Sequence, residues 1–366
     1  MLAAAAFVIF TPSVTAFADY SEDIAGQLGS AAESTLNDEA KDALEQSGFD
    51  DIGSASADKL TFGGIVKYIA KSISGQVSLP LALLGRLLGI ILICTMFSSL
   101  SDASGELSGV LGIVGTLAAA GVLYEQINNA LSVVCIMLGE LNAFMIAYIP
   151  VFVSLLTGGG FATAASGYYI SLMTLCEVIN IVSERLIVPL CSVILAVSVA
   201  ESICPLYSSS ISSMMKKAVQ WSLGVAATAF VGVLSIKSII ACAADSVAVR
   251  AAKFTASSFV PVIGSAVADA YTTVSGSVAL IRSAAGSFGV MAVFFTVIRP
   301  IAAVLLLSAS VKISAAIADI LGQKNVARLL SGAADVFSII LTIAILMSLV
   351  FIIATAIMML MCINAV

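Results

Sequence analysis

Histidine is absent from the 366 residues, and charged residues make up only 10% of them. The first absence removes the commonest metal ligand and the commonest general base. The second lies far below the ~25% charged residues of a typical soluble domain. With 60% hydrophobic residues and a mean hydropathy of +1.12, the chain carries more apolar side chain than a water-exposed globule can bury. The composition therefore predicts an all-α, polytopic helical membrane protein.

Sequence motifs of enzyme chemistry are missing as well. The chain has no P-loop GxxxxGK[ST], no HExxH and no GxSxG, and its seven cysteines form no CxxC pair. These patterns supply the phosphate cradles, metal ligands and nucleophiles of many enzymes. We therefore expect no catalytic site, no metal and no cofactor, and no nucleic-acid partner; the lipid bilayer is the expected surrounding.

The negative charge is concentrated near the start of the chain. Residues 19–61 hold eleven acidic side chains and two lysines, a balance of −9, whereas the whole chain sums to −6. The remainder is therefore +3, which indicates two environments. An apolar run ending in Ala16-Phe17-Ala18 is typical of a secretory signal peptide, here residues 1–18. Residues 19–61 are then predicted to form an acidic extracytoplasmic segment.

The acidic segment has few large apolar side chains. Leu28, Leu36 and Leu44 are among them, and they are too few for a core of their own. The segment is predicted to be solvated, with a short helix from Leu36 to Gln46. The functional alternative is a docking arm for an extracytoplasmic partner.

Residues 62–366 form the predicted polytopic membrane domain. A spanning helix needs about 20 apolar residues, and about eight stretches are candidates. They are 79–100, 107–123, 130–156, 163–182, 186–204, 218–240, 287–311 and 335–363. In the third, Pro150 predicts a kink, and the run Gly158–Gly160 predicts that the chain turns back.

Residues 261–282 are neither plainly apolar nor plainly a loop. Ile263, Val267 and Tyr271 recur at helical spacing, while Ser265 and Asp269 follow the same steps on a polar face. This pattern predicts an amphipathic helix, either at the membrane interface or re-entrant beside a polar cavity.

Basic residues predict the orientation. With the acidic segment outside, the connection 205–217, which carries Lys216 and Lys217, falls inside, and so does the connection 312–334. The stretch 237–253 carries three basic residues and falls outside, which counts against this orientation.

Three charges within the spanning segments are candidate site residues, because lipid makes a lone charge costly. Glu140 lies in the third segment, Glu177 in the fourth, and Arg299 near the centre of the seventh, just before Pro300. We expect Arg299 to pair with Glu140 or Glu177 within the bundle. Such a pair would either fix helix packing or mark a polar path for a substrate.

A faint internal repeat favours a transport function. A shift of 111 residues places Pro189 on Pro300 and Lys217 on Arg328. Internal repeats are common in transporters. Together with the broken helices and buried charges, they support a stand-alone permease for a small solute.

The most distinctive stretch of the chain runs from Arg250 to Asp269. Its marked positions are Arg250, Lys253, Phe259, Pro261, Gly264 and Asp269. This stretch resembles the signature of the stage III sporulation protein AE family. The leader, the acidic segment, Ile149-Pro150 before a Gly-rich loop and the order of apolar segments are similar too, so the resemblance covers nearly the whole chain.

The resemblance implies a multi-pass protein of endospore-forming bacteria, made in the mother cell and located in the outer forespore membrane. It implies a channel-like or secretion-like complex with the other stage III sporulation membrane proteins, facing stage II sporulation protein Q across the intermembrane space. Such a complex is expected to maintain the forespore and its late gene expression. No catalytic residue comes with the resemblance.

Three functions are therefore compared: a subunit of the sporulation conduit, a stand-alone permease, and, least favoured, a membrane enzyme. A polar cavity that reaches Glu140, Glu177 or Asp269 would favour the permease. A solid bundle with apolar or glycine-lined outer faces would favour the subunit.

Overall fold

A computed structural model describes residues 23–24, 26–46, 62–100, 105–181, 185, 187–203, 210–259 and 264–360. Within these ranges the chain is helical and contains no strand, which confirms the all-α prediction. The predicted signal peptide, residues 1–18, lies outside them.

Nine helices follow a first helical stretch over residues 26–35 in the described part of the chain. They are α1 Asp38–Gln46, α2 Phe62–Gly75, α3 Ser78–Leu100, α4 Gly105–Gly158, α5 Ala162–Ile181, α6 Val188–Ile203, α7 Ser210–Phe259, α8 Gly264–Ile320 and α9 Lys324–Leu360.

Several of these helices are much longer than the predicted segments. α4 has 54 residues and unites the stretches 107–123 and 130–156, which hydropathy separates. At 1.5 Å per residue α4 is about 80 Å long, more than twice the ~30 Å hydrocarbon core. Polar residues between the two stretches, Glu125 to Asn129, keep their helical backbone bonds, so a drop in hydropathy does not end the helix.

The amphipathic residues 261–282 do not form a separate element. α8 begins at Gly264 and runs for 57 residues to Ile320. A helix in this region is therefore confirmed, but the prediction of a distinct interfacial or re-entrant helix is wrong. The predicted connection 312–334 is likewise shorter than expected, since α9 begins at Lys324.

Five helical stretches in the described part of the chain are long and apolar enough to cross a membrane. They are Tyr68–Ser98, Gly112–Gly158, Ser213–Ala251, Gly276–Ile320 and Lys324–Leu360, and Val188–Ile203 is a shorter apolar helix. The polytopic membrane character is thus supported, whereas the count of about eight spans is not confirmed.

Glycines in the left-handed region end two of the long helices. Gly160, with φ of 88°, follows α4. The N–H of Phe161 donates to the Leu156 carbonyl and that of Gly160 to the Thr157 carbonyl, both at 3.0 Å. This pair of bonds is the Schellman motif, which caps the last free carbonyls of a helix. Gly322, with φ of 77°, ends α8 in the same way, and the predicted turn at Gly158–Gly160 is confirmed.

α9 is the central helix of the bundle. It packs most extensively on α8 and also contacts α4, α6 and α7. Half of its most apolar window is buried, against 11% for α7. α7 therefore lies at the periphery, and its exposed apolar side chains, such as Ile239 and Val247, face outward.

The described part of the acidic segment, residues 23–24 and 26–46, folds onto this bundle. Ile24, Leu28, Leu36 and Leu44 are at most 5% exposed and belong to the main hydrophobic cluster, and α1 contacts α8. The short helix predicted within Leu36 to Gln46 is confirmed as α1, but the prediction of a solvated segment is wrong. Leucines too few for a core of their own are enough to dock onto an existing one.

Gly286 lies at a close approach of α8 to α9. A Cβ atom there would lie 2.6 Å from Cβ of Met359 and 3.3 Å from its Cα. Atoms this near the backbone cannot move aside by a change of rotamer. The two helices can therefore approach this closely only because Gly286 has no side chain.

We predict that Gly286→Ala lowers the stability of the protein by about 1–3 kcal/mol, the usual cost of overpacking. Gly276→Ala, on the same helix with nothing within 4 Å, is the matched control. It should be neutral or stabilising by up to ~1 kcal/mol, because alanine is the better helix former. Thermal melting of both purified variants in detergent measures the difference, and equal melting temperatures would contradict the close approach.

Candidate functional site: a polar cleft at the start of α3

Glu140 and Arg299, two of the three predicted site residues, line one cavity. Its volume is about 360 Å³, and it lies where α3, α4 and α8 meet. Glu177 is exposed on α5 and is not among the lining residues. The cavity brings Glu140 and Arg299 to the same site, and the ion pair between them stays a prediction.

Asn37 connects the acidic segment to this cavity. Its side-chain oxygen accepts from the N–H of Ala40 at 2.9 Å and so caps α1, while its Nδ2 donates to Oε2 of Glu140 at 3.0 Å. Asparagine is a favoured N-cap, and here both the oxygen and the nitrogen of its amide group make hydrogen bonds. The first turn of α1 is thereby fixed to the carboxylate on α4.

Gln76 holds the side chain of Arg299 by hydrogen bonds. With its amide oxygen facing α8, it accepts from Nε of Arg299 at 2.5 Å and from Nη2 at 3.3 Å. Gln76 lies in the turn just before α3. Arg299 is therefore level with the start of α3.

A second cavity, of about 470 Å³, adjoins the first at Arg299. It lies between α1, α2 and α8. Its polar lining residues are Asp42, Tyr68, Lys71, Ser72, Ser74 and Arg299. The ring of Tyr68 also meets Phe295 edge-on, with ring centroids 4.9 Å apart, which holds α2 against α8. Arg299 is thus shared by both cavities.

Asp245 is a site residue that the sequence analysis missed. It is 5% exposed, and its two carboxylate oxygens accept from the N–H groups of Thr163 at 3.2 Å and Ala164 at 2.7 Å. These amides open α5, whose cap position, Phe161, has no side-chain acceptor. A carboxylate at a helix N-terminus also complements the helix dipole. A single Asp within α7 gives no sequence signal for this role.

Arg86 and Glu125 form an exposed charged pair between α3 and α4. Nη1 of Arg86 lies 4.0 Å from Oε2 of Glu125, and the two side chains are 59% and 65% exposed. Arg86 is about 12 Å along α3 from Ser78. A charged pair this far from the end of α3 is costly if it faces lipid. It is tolerated if it faces water or another protein.

The distinctive stretch from Arg250 to Asp269 spans the junction of α7 and α8. Arg250 is exposed, and Lys253 and Phe259 lie in the last turns of α7. Gly264 begins α8, which also contains Asp269. Pro261 lies outside the described residues. The described residues of the stretch thus belong to the end of α7 and the start of α8.

The long apolar helices, the buried carboxylate and the polar cleft define a polytopic helical membrane protein. The family model of stage III sporulation protein AE matches residues 49–362. The chain belongs to that family, which confirms the resemblance and a role in sporulation.

A curated relative supports the same family. Stage III sporulation protein AE of Bacillus subtilis (strain 168) is 25% identical over 249 residues, which cover 65% of this chain and 61% of the relative. The match thus covers less than two thirds of that relative's length. No solved structure matches the chain.

We predict that Asp245→Ala destabilises the protein by about 1–2 kcal/mol, the usual loss for an N-cap. Asp245→Asn keeps one acceptor and should lose less. Asp319→Asn, at an exposed position of α8, is the control and should melt like the parent. Thermal melting in detergent tests the order, and an unchanged Asp245→Ala would show that Asp245 does not stabilise α5.

Proposed function

We propose that the protein is a non-catalytic membrane subunit of a channel-like or secretion-like sporulation complex between mother cell and forespore. It resides in the outer forespore membrane with its acidic segment outside the cytoplasm. Its partners are the other stage III sporulation membrane proteins and, across the intermembrane space, the stage II sporulation protein Q complex. Through them it supports forespore maintenance and late gene expression. Membership of the sporulation family supports this proposal.

The observation that carries the proposal is the exposed pair Arg86–Glu125. On insertion scales, an Arg or Asp in the middle of a spanning helix raises the free energy of membrane insertion by roughly 2.5–3.5 kcal/mol. A chain surrounded only by lipid would gain by having apolar residues here. The pair is therefore best explained by a neighbouring subunit or a water-filled passage against α3 and α4.

The orientation draws support from the positions of two segments. Gln76 and the acidic segment lie at the Ser78 end of α3, whereas Cys94, near its other end, contacts Gly115 on α4. Gly115 in turn lies close to Val326, just after the turn between α8 and α9. The acidic segment and this basic turn are at opposite ends of α3, as they must be for one to face outward and the other the cytoplasm.

A stand-alone permease is the second candidate. The cavity that reaches Glu140 is the observation that favours it, because a permease needs a polar solute site among its helices. The two functions differ in their partners. A permease purifies alone, whereas a conduit subunit brings other stage III sporulation proteins with it.

The first test is deletion of the coding sequence from its host. We expect the yield of heat-resistant spores to fall by orders of magnitude while vegetative growth is unchanged, with recovery on re-expression. A tagged, functional copy purified in mild detergent during sporulation should carry the partner proteins. Recovery of the chain alone, with spore yield dependent on it, would contradict the conduit proposal and favour the permease.

The second test replaces the charged pair. Arg86→Leu with Glu125→Leu should leave the protein folded and at least as stable in the membrane, yet lower the spore yield, because a contact or passage has been lost. Arg86→Lys with Glu125→Asp keeps both charges and is the control. Full spore yield in the leucine variant, at normal protein levels, would show that the pair faces lipid without a function.

A further inference from the structure

Arg299 lies level with the start of α3, because Gln76, in the turn just before that helix, accepts from its guanidinium. α3 has 23 residues, which gives about 34 Å of helix, close to the ~30 Å thickness of a hydrocarbon core. A bilayer centred on α3 would put Arg299 at the depth of a lipid head group.

The second cavity, the upper of the two, offers two cations to a phosphate. Lys71 and Arg299 both line it, together with the hydroxyl groups of Ser72 and Ser74. Arginine and phosphate form strong charge-assisted hydrogen bonds, and basic pockets between spanning helices are typical head-group sites. Asp42 lines the same cavity, so the ionised side chains among its described lining residues sum to +1.

The first cavity, the lower of the two, extends from Arg299 along α8. Its lining runs along α8 to Leu307, eight residues and about 12 Å further. Most of its walls are apolar, and only Gln126 and Asn129 add polar groups toward its far end. The apolar lining residues are Leu79, Ala130, Val133, Ile136, Met137, Pro300, Ala303, Val304 and Leu307.

We propose that the two cavities form one binding site for a phospholipid. The phosphate lies between Lys71 and Arg299, and one acyl chain follows the lower cavity along α3, α4 and α8. A polar cavity at the surface that continues into an apolar one below it has the shape and polarity of an amphiphile. This site does not depend on the conduit function, and binding to the purified protein tests it separately from spore yield.

The experiment uses the full chain, purified and stripped of lipid in detergent. Dioleoyl phosphatidylglycerol should raise the melting temperature in a saturable way and remain bound in native mass spectrometry. Dioleoylglycerol, which has the same chains without phosphate, and inorganic phosphate are the two comparison ligands. Neither should reproduce the effect. Equal stabilisation by dioleoylglycerol would reduce the site to general lipid contact, and equal stabilisation by phosphate would reduce it to an ion site; both would overturn the proposal.

Variants locate the binding. Lys71→Gln and Arg299→Gln should each raise the half-saturating concentration about tenfold, the effect of losing roughly 1.4 kcal/mol of charge-assisted binding. Lys312→Gln, at an exposed position further along α8, should bind as the parent does. The Lys71 side chain is exposed, so its replacement should leave the fold intact. Parent-like binding by Lys71→Gln would contradict the upper half of the site.

A separate variant tests the acyl chain. Ala303→Phe places a ring in the lower cavity and should block the chain while leaving both cations in position. We expect its response to the phospholipid to be lost although the protein melts cooperatively. Saturable binding of the parent strength in this variant would overturn the assignment of the lower cavity.

Discussion

Hydrocarbon offers no hydrogen bonds, so polar groups below the membrane surface have to be satisfied by the protein itself. Two contacts between helices supply such partners to buried polar groups. Asp245 supplies the acceptors that the first turn of α5 lacks. Lys216 on α7 and Asp335 on α9 form an ion pair at 2.7 Å with both side chains about three-quarters covered. Each of these contacts also determines which helices are neighbours.

The same constraint gives the acidic segment a structural role. Asn37 reaches Glu140 from outside the bundle, and its neighbours Leu36 and Ala40 are buried. A segment that looks soluble by composition is thus one wall of the polar cleft. Its outward side remains acidic, with Glu33 and Asp38 exposed.

The cleft itself shows how helix length changes the meaning of a charge. In a span of bilayer length, Arg299 lies at the centre and needs a buried partner. In a helix of 57 residues it lies beside Gln76, level with the start of α3. The polar residues at this level are consistent with a site for amphiphiles, whereas the pair Arg86–Glu125 lies deeper.

The sequence by itself determined the class, because a chain with 60% hydrophobic and only 10% charged residues carries more apolar side chain than a water-exposed globule can bury. It also located the turn at Gly158–Gly160 and the family stretch from Arg250 to Asp269, since both depend on neighbouring residues. The tertiary structure alone decided that 107–156 is one helix, that Leu28 is buried, and that Asp245 caps α5. These features depend on contacts between residues far apart in the chain, which local hydropathy and spacing do not record.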